Sequence, residues 1–392
     1  MGVGAGWIVL VEVLIRILFP QPDVFHQLDP VYGYSGIPGK SGRYFSRHGE
    51  YTSTLRMNQA GFRDVEHEMA KPPHTYRILF LGDSYTESKE VTLDETFWRK
   101  LQTLLPALPD GRKVEIISMG VSGYGTGHQW MVLEHKGLAM DPDLVVVAFT
   151  ESTDVWNNSR HLDSINDGRD PGAIPMKPYF KLNPDTLDLI PFQTHDIDHG
   201  LTGFFRRHFQ TYLFVRNLAV ANPTLMRIAW KLGFVHTPPT PPTLAWTHPL
   251  NYDVFRTDLA GDTHWVEAWS LTERLFLEID RTCRSGGARL LVVDIPSPHQ
   301  LYKDLQESEF RAYPDLKTVP LDWGLPGRRL DAFLADHGIA FLYLYPIFRT
   351  HVEENPSPSM YFKIDAHLSP HGHDRVASQL KLKILELVGP GT

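Results

Sequence analysis

The sequence predicts a three-layer α/β/α sandwich on a five-stranded parallel sheet, with one large insertion. Three observations carry that expectation. Five short apolar runs recur along the chain, at residues 77–81, 114–117, 144–149, 288–295 and 340–344. The third, Leu-Val-Val-Val-Ala-Phe, is too continuously apolar for a half-exposed strand; such runs belong to parallel sheets covered on both faces. Segments with helical spacing lie between the runs, and this alternation implies right-handed crossovers that lay helices on both faces.

The elements follow in chain order. Trp7 to Phe19 reads WIVLVEVLIRILF, apolar except for Glu12 and Arg16, whose i,i+4 spacing lets them pair on one helix face. The run from Val3 to Phe19 is at the short end for a membrane span, and neither a basic leader nor a small-residue cleavage site marks a signal peptide. Residues 1–20 are therefore expected to anchor the chain to a membrane or to dock as a helix on protein. No Lys or Arg precedes the helix, so charge sets no orientation for it. Residues 21–76 form a lead-in rich in Gly, Pro, Tyr and Ser, with a short strand at 51–56. The α/β domain then occupies 77–390.

Within that domain, residues 94–105 have helical spacing (Phe97, Leu101, Leu104, Leu105), and 129–138 reads as a second helix. Residues 155–260 break the pattern with Asn, Asp, Pro and aromatics and are read as the insertion. Its tract Thr237-Pro-Pro-Thr-Pro-Pro-Thr243 is stiff and extended. Phe204, Phe205, Tyr212 and Trp230 are expected in a core; exposed together, they would mark a partner or membrane surface. Helices resume at 264–284 and 327–336. A last one starts after Ser369-Pro370, an N-cap followed by proline at the first helical position.

Composition closes off several function classes. With 392 residues the chain can bury a large core. A net charge of −8 without any Lys/Arg run excludes a nucleic-acid footprint. The single cysteine, Cys283, excludes an internal disulfide and a cysteine-based zinc site. The glycine loop at 120–127 has neither GxGxxG spacing nor a P-loop ending, so no phosphate-bearing cofactor is expected. His367, His371 and His373 fall at spacings that point them different ways along a helix start, and no metal is expected either.

In open α/β sheets, ligands bind outside the carboxyl ends of the strands. The first strand ends in Gly82-Asp83-Ser84, the second in Gly120-Val-Ser-Gly-Tyr-Gly125 and the third in Thr150-Glu-Ser-Thr-Asp154. Asp365-Ala-His367 follows the fifth. A nucleophile, oxyanion donors and a base with its orienting acid are the parts of nucleophilic acyl transfer. Glu151 and Asp154 are expected to shape their loop rather than to act as a carboxylate pair.

These residues resemble the SGNH/GDSL hydrolases, and the resemblance covers most of residues 50–387. It extends to Asn58-Gln-Ala-Gly-Phe-Arg-Asp64, similar to the lead-in of membrane-anchored bacterial members. It also takes in Gly286-Gly-Ala-Arg-Leu-Leu-Val-Val-Asp-Ile-Pro296 and Asp365-Ala-His-Leu-Ser-Pro-His-Gly-His373. The resemblance implies a flavodoxin-like fold with Ser84 as nucleophile, His367 as general base and Asp365 as its orienter. It implies oxyanion donors at Ser84 and Gly123, and a third at Thr153, where the family carries Asn in a Gly-Asn-Asp pattern. This chain has Ser152-Thr153-Asp154 there. A threonine hydroxyl is shorter and freely rotating, so the expected site is weakened.

Two functions follow. One is a membrane-tethered serine esterase, or an acyltransferase of cell-surface polysaccharide, acting on an acylated glycan or lipid at the extracytoplasmic face of an inner membrane. The other is a catalytically silent subunit that keeps the fold and docks into a membrane protein complex. Thr153 and the ionisable pair Glu12–Arg16 favour the second.

Overall fold

The computed structural model describes residues 2–389 apart from 168, 185, 195–199, 221 and 232–248. Two short antiparallel hairpins open the lead-in: β1 (His26–Asp29) with β2 (Gly33–Gly36), and β3 (Ser41–Phe45) with β4 (Thr52–Arg56). The central sheet takes β5 (Thr75–Gly82), β6 (Lys113–Ser118) and β7 (Leu144–Phe149). A third hairpin, β8 (Tyr179–Leu182) with β9 (Leu187–Ile190), belongs to the insertion. The sheet is completed by β10 (Arg289–Asp294) and β11 (Ala340–Leu342).

All four pairings of the sheet are parallel, in the order β11-β10-β7-β5-β6. The chain reverses its winding direction between β5 and β7. At such a switch point two adjacent crossovers leave the sheet on opposite faces and open a crevice above the strand ends. Ser84 follows β5 and Thr153 follows β7, so topology alone brings both to this crevice.

Alternation along the strands splits the core in two. Leu79, Leu81, Val145, Val147 and Val292 pack beneath the helices Thr126–Val132, Thr263–Ser285 and Leu325–Asp336. Ile78, Phe80, Val146, Ala148 and Leu291 face the helices Phe97–Leu104, Leu344–Glu354 and Pro370–Val388. The long helix Thr263–Ser285 starts where the Asp262 carboxylate accepts from the N–H groups of His264 and Trp265, at 2.9 and 3.1 Å. It buries Trp265, Ala268, Thr272, Phe276, Ile279 and Cys283, a stripe of helical period. The last helix begins at Pro370 with Ser369 as its cap, as its sequence requires.

Several boundaries differ from the sequence reading. The run at 340–344 stops pairing at Leu342, and Leu344 instead begins the helix Leu344–Glu354, where it is fully buried. Apolar continuity cannot distinguish a buried strand from the buried start of a helix. The helix placed at 129–138 spans Thr126–Val132 and continues as a wider π turn over Leu133–Gly137. There the chain runs so close to the sheet that a Cβ on Gly137 would lie 2.7 Å from Leu79. The insertion is more ordered than its composition suggests, with the helices Arg160–Asn166, Gly200–His208, Gln210–Val220 and Pro223–Lys231. The proline tract 237–243 lies outside the described residues.

The N-terminal apolar run is a helix, Gly2–Leu18, and no helix among the described residues is long and apolar enough to cross a membrane. Seventeen residues rise only about 25 Å against a hydrocarbon core of about 30 Å. This helix lies against the insertion instead. The aromatics Phe204 and Phe205, expected in a core, are exposed.

Candidate active site

The stretch Gly82-Asp83-Ser84 turns the chain from strand to helix within three residues. Asp83 caps the short helix Ser84–Glu87, its carboxylate accepting from the Tyr85 N–H at 2.9 Å. Gly82 must lack a side chain, because a Cβ there would stand 2.1 Å from the Thr86 hydroxyl. The serine is thus fixed at the first turn of a helix on the edge of the sheet.

Ser84 Oγ lies 2.8 Å from His367 Nε2, and His367 Nδ1 lies 2.6 Å from Asp365 Oδ1. The ring leans on Tyr85, with centroids 5.0 Å apart, and the Tyr85 hydroxyl donates to the Ala366 carbonyl. Asp365 is held from its far side, where Tyr51 donates to Oδ2 at 2.6 Å. Glu50 accepts from the backbone N–H groups of Ile364 and Asp365 at 2.8 and 2.9 Å. The turn joining β3 to β4 thus delivers Glu50 and Tyr51 from the lead-in onto the loop that carries the histidine.

A second carboxylate stands beside the ring. Glu90 is buried, with Oε1 3.7 Å from His367 Nδ1. Burial works against a charged imidazole, but Glu90 and Asp365 outweigh it, with help from Asp83, and push His367 up to about 9. The charged ring is thereby favoured, and Nε2 can accept from the Ser84 hydroxyl only after it has given up its proton. Burial likewise pushes the Asp83 carboxyl up to about 6. Glu90, Asp365 and His367 each place one ligating atom within 4.8 Å of the others. A cation there would have to displace the His367–Asp365 hydrogen bond that sets the ring's orientation.

The glycine loop after β6 is anchored by Glu87, whose Oε2 accepts from the Ser122 N–H at 2.8 Å and from the Ser122 hydroxyl. Although burial disfavours its charge, Lys89 and His26 hold Glu87 well below the usual carboxylate range. Gly123 has φ of +79° and lies under Tyr34, whose hydroxyl donates to the Ser122 carbonyl at 2.9 Å. A Cβ on Gly123 would meet that hydroxyl at 2.6 Å, so both the backbone sign and the contact require glycine.

Ser84, Asp365 and His367 share one cleft of about 240 Å³ with Ser152 and Thr153; Tyr252, Phe255, Pro298 and His299 form its apolar and aromatic wall. Gly123 is not among the residues lining this cleft. The Thr153 hydroxyl is 3.4 Å from the Thr150 carbonyl of its own helix turn, a long bond that leaves it able to rotate. Asp154 accepts from the Thr150 N–H at 2.9 Å and Glu151 from Gln300 at 2.9 Å. Both carboxyls are fully buried in the first turn of the helix Glu151–Asn158, where the sequence reading placed a loop. His373 Nδ1 accepts from the Phe97 N–H at 3.1 Å, and the His371 ring lies tilted beside that of His351, with centroids 5.7 Å apart.

Sequence reasoning missed five supporting residues. Glu87 and Glu90 stood in the nucleophile stretch itself, three and six positions after Ser84, and the first spacing marks a helix neighbour. Tyr51 and Glu50 carried no local signal. Arg63, within the resembling lead-in stretch, is fully buried and donates to the carbonyls of Glu87, Ser88 and Val91. It therefore closes the open end of the nucleophile helix.

No protein-family model matches the chain, and no curated protein does. Several solved structures do. An acetyl xylan esterase, AlAXEase, aligns with a TM-score of 0.38 at 12% identity, covering 78% of this chain and 97% of that one. TesA aligns at 0.36 and 11%, covering 79% and 99%. Axe2, an acetylxylan esterase from Geobacillus stearothermophilus, aligns at 0.38 and 12%, covering 79% and 94%. Likeness at this level assigns no activity, and the reading of the site rests on the chain's own geometry.

Proposed function

We propose that the chain is a serine ester hydrolase. The observation that carries this reading is the continuous relay Ser84–His367–Asp365, with contacts of 2.8 and 2.6 Å at the carboxyl edge of the sheet. Ser84 Oγ attacks the carbonyl carbon of an ester while His367 Nε2 takes its proton, and Asp365 stabilises the imidazolium that forms. The Ser84 N–H and the Thr153 hydroxyl, both at the cleft, receive the oxyanion; the Gly123 N–H, a donor by resemblance alone, lies outside the cleft lining and joins them only if its loop moves toward Ser84. His367 then protonates the departing alkoxide. Water, activated by the same ring, releases the acid and restores Ser84.

The substrate class is an acylated glycan or lipid. Release to a sugar hydroxyl instead of water, as in an O-acyltransferase of cell-surface polysaccharide, uses the same residues. The chain would act at the extracytoplasmic face of an inner membrane. A serine-directed fluorophosphonate tests the chemistry: one adduct should form on Ser84, and Ser84→Ala should lose both the adduct and turnover of p-nitrophenyl acetate. An unlabelled, inert wild-type chain across pH 7 to 10 would overturn the reading.

One observation favours a second reading, a silent subunit of a membrane complex. The Thr153 hydroxyl is directed at its own helix turn, where an amide side chain would reach further into the cleft. Inertness of both wild type and Thr153→Asn would select it.

A further inference from the structure

We infer that the N-terminal helix and the insertion helices together form a platform that lies in the plane of an anionic lipid bilayer. The inference rests on these exposed helices and is independent of the ester-hydrolase reading. Glu12, which looked costly for a membrane helix, is the hinge of the arrangement. Its carboxylate accepts from the N–H groups of Gln210 and Thr211, at 2.9 and 3.0 Å, and from the Thr211 hydroxyl at 2.7 Å. It thereby caps the helix Gln210–Val220. Arg16 bonds Glu12 at 2.8 Å and the His208 carbonyl at 2.7 Å, and Phe19 packs on Phe214. The polar pair is spent on docking helix to helix, which ties Gly2–Leu18 down along the insertion.

What remains outward is apolar. Trp7 is 62% exposed, Ile8 64% and Ile17 69%. Across a groove of about 450 Å³, lined also by Val11 and Phe205, the insertion adds exposed Val215 and Leu218. Leu225 and Ile228, one helical turn apart, extend the same character onto the next helix. A soluble surface seldom carries so many large apolar side chains in adjoining helices.

Charge chooses the occupant. Residues 200–231 contain Arg206, Arg207, Arg216, Arg227 and Lys231 and not one Asp or Glu, in a chain whose net charge is −8. Arg216, Arg227 and Lys231 are exposed beside the apolar positions. Apolar side chains flanked by cations suit a surface with an oily interior and anionic headgroups. A second copy seated symmetrically on this face would bring the cations of both copies together, which disfavours self-association. With no described helix able to cross, the platform lies on the bilayer instead of spanning it.

The test is flotation of the purified full chain with lipid vesicles. It should float with vesicles containing phosphatidylglycerol and far less with phosphatidylcholine alone. Each surface cation lost costs about fivefold in partition, so Arg216→Gln, Arg227→Gln and Lys231→Gln combined should weaken binding on the order of a hundredfold. Leu218→Glu with Ile228→Glu, at exposed positions that leave the circular dichroism unchanged, should abolish flotation. A tag on the N-terminus should stay open to protease added outside the vesicles. The inference is overturned by a wild-type chain that does not float, by a charge variant that floats as well as wild type, by a protected tag, or by a concentration-dependent dimer that forms in place of lipid binding.

Discussion

Replacing Glu90 by glutamine should move the pH dependence of the reaction toward neutrality. In the wild-type chain the base is protonated below about pH 9, so kcat/KM should rise tenfold per unit of pH and level off only above that value. Glu90 contributes through its charge, 3.7 Å from Nδ1 and buried. A unit charge at about 4 Å is worth roughly 4 kcal/mol at an effective dielectric of 20, a ceiling that Asp365 and the competing burial reduce. An ion-pair partner at this range shifts a titration by about 1 to 3 units. Glutamine keeps the shape and removes the charge; with Asp365 still in place the shift takes the lower part of that range, so the midpoint should fall to roughly 7 to 8. At pH 7 about one ring in a hundred is neutral in wild type; a midpoint of 8 to 7 makes that about one in ten to one in two. Activity at pH 7 should therefore rise about ten- to fiftyfold, while the alkaline plateau drops because the imidazolium of the transition state loses a neighbouring anion. The assay is kcat/KM for p-nitrophenyl acetate from about pH 5.5 to 10. A midpoint unchanged by the substitution would refute the electrostatic account of this site.

Three further outcomes are expected. Thr153→Asn should raise kcat by roughly tenfold or more with little change in KM, because the oxyanion exists only in the transition state, and the gain should vanish in a Ser84→Ala background. Tyr51→Phe removes the hydroxyl that donates to Asp365 at 2.6 Å; kcat/KM should fall roughly tenfold while the urea midpoint barely moves, and an unchanged rate would make Tyr51 merely structural. Gly82→Ala forces a Cβ to within 2.1 Å of Thr86 and should destabilise the fold by about 1 to 3 kcal/mol in urea titration, with loss of turnover; a neutral effect would contradict the tight strand-to-helix turn.

The legibility of this protein divides by range. The α/β/α class, the parallel sheet and the serine, histidine and aspartate at its edge could be read from the chain, because each depends on local periodicity or on a residue's place at a strand end. Ser369-Pro370 announced its helix for the same reason: a cap acts on the turn beside it. The end of the fifth strand was misread, since apolar continuity at 340–344 is common to a buried strand and a buried helix start. Only the tertiary structure could bring Tyr51 to Asp365 across 314 positions, set Glu90 against the imidazole, or give Glu12 to a helix 198 residues away. Those contacts are electrostatic and packing relations between segments that share no local pattern. They decide how strongly the base holds its proton and which apolar faces remain uncovered.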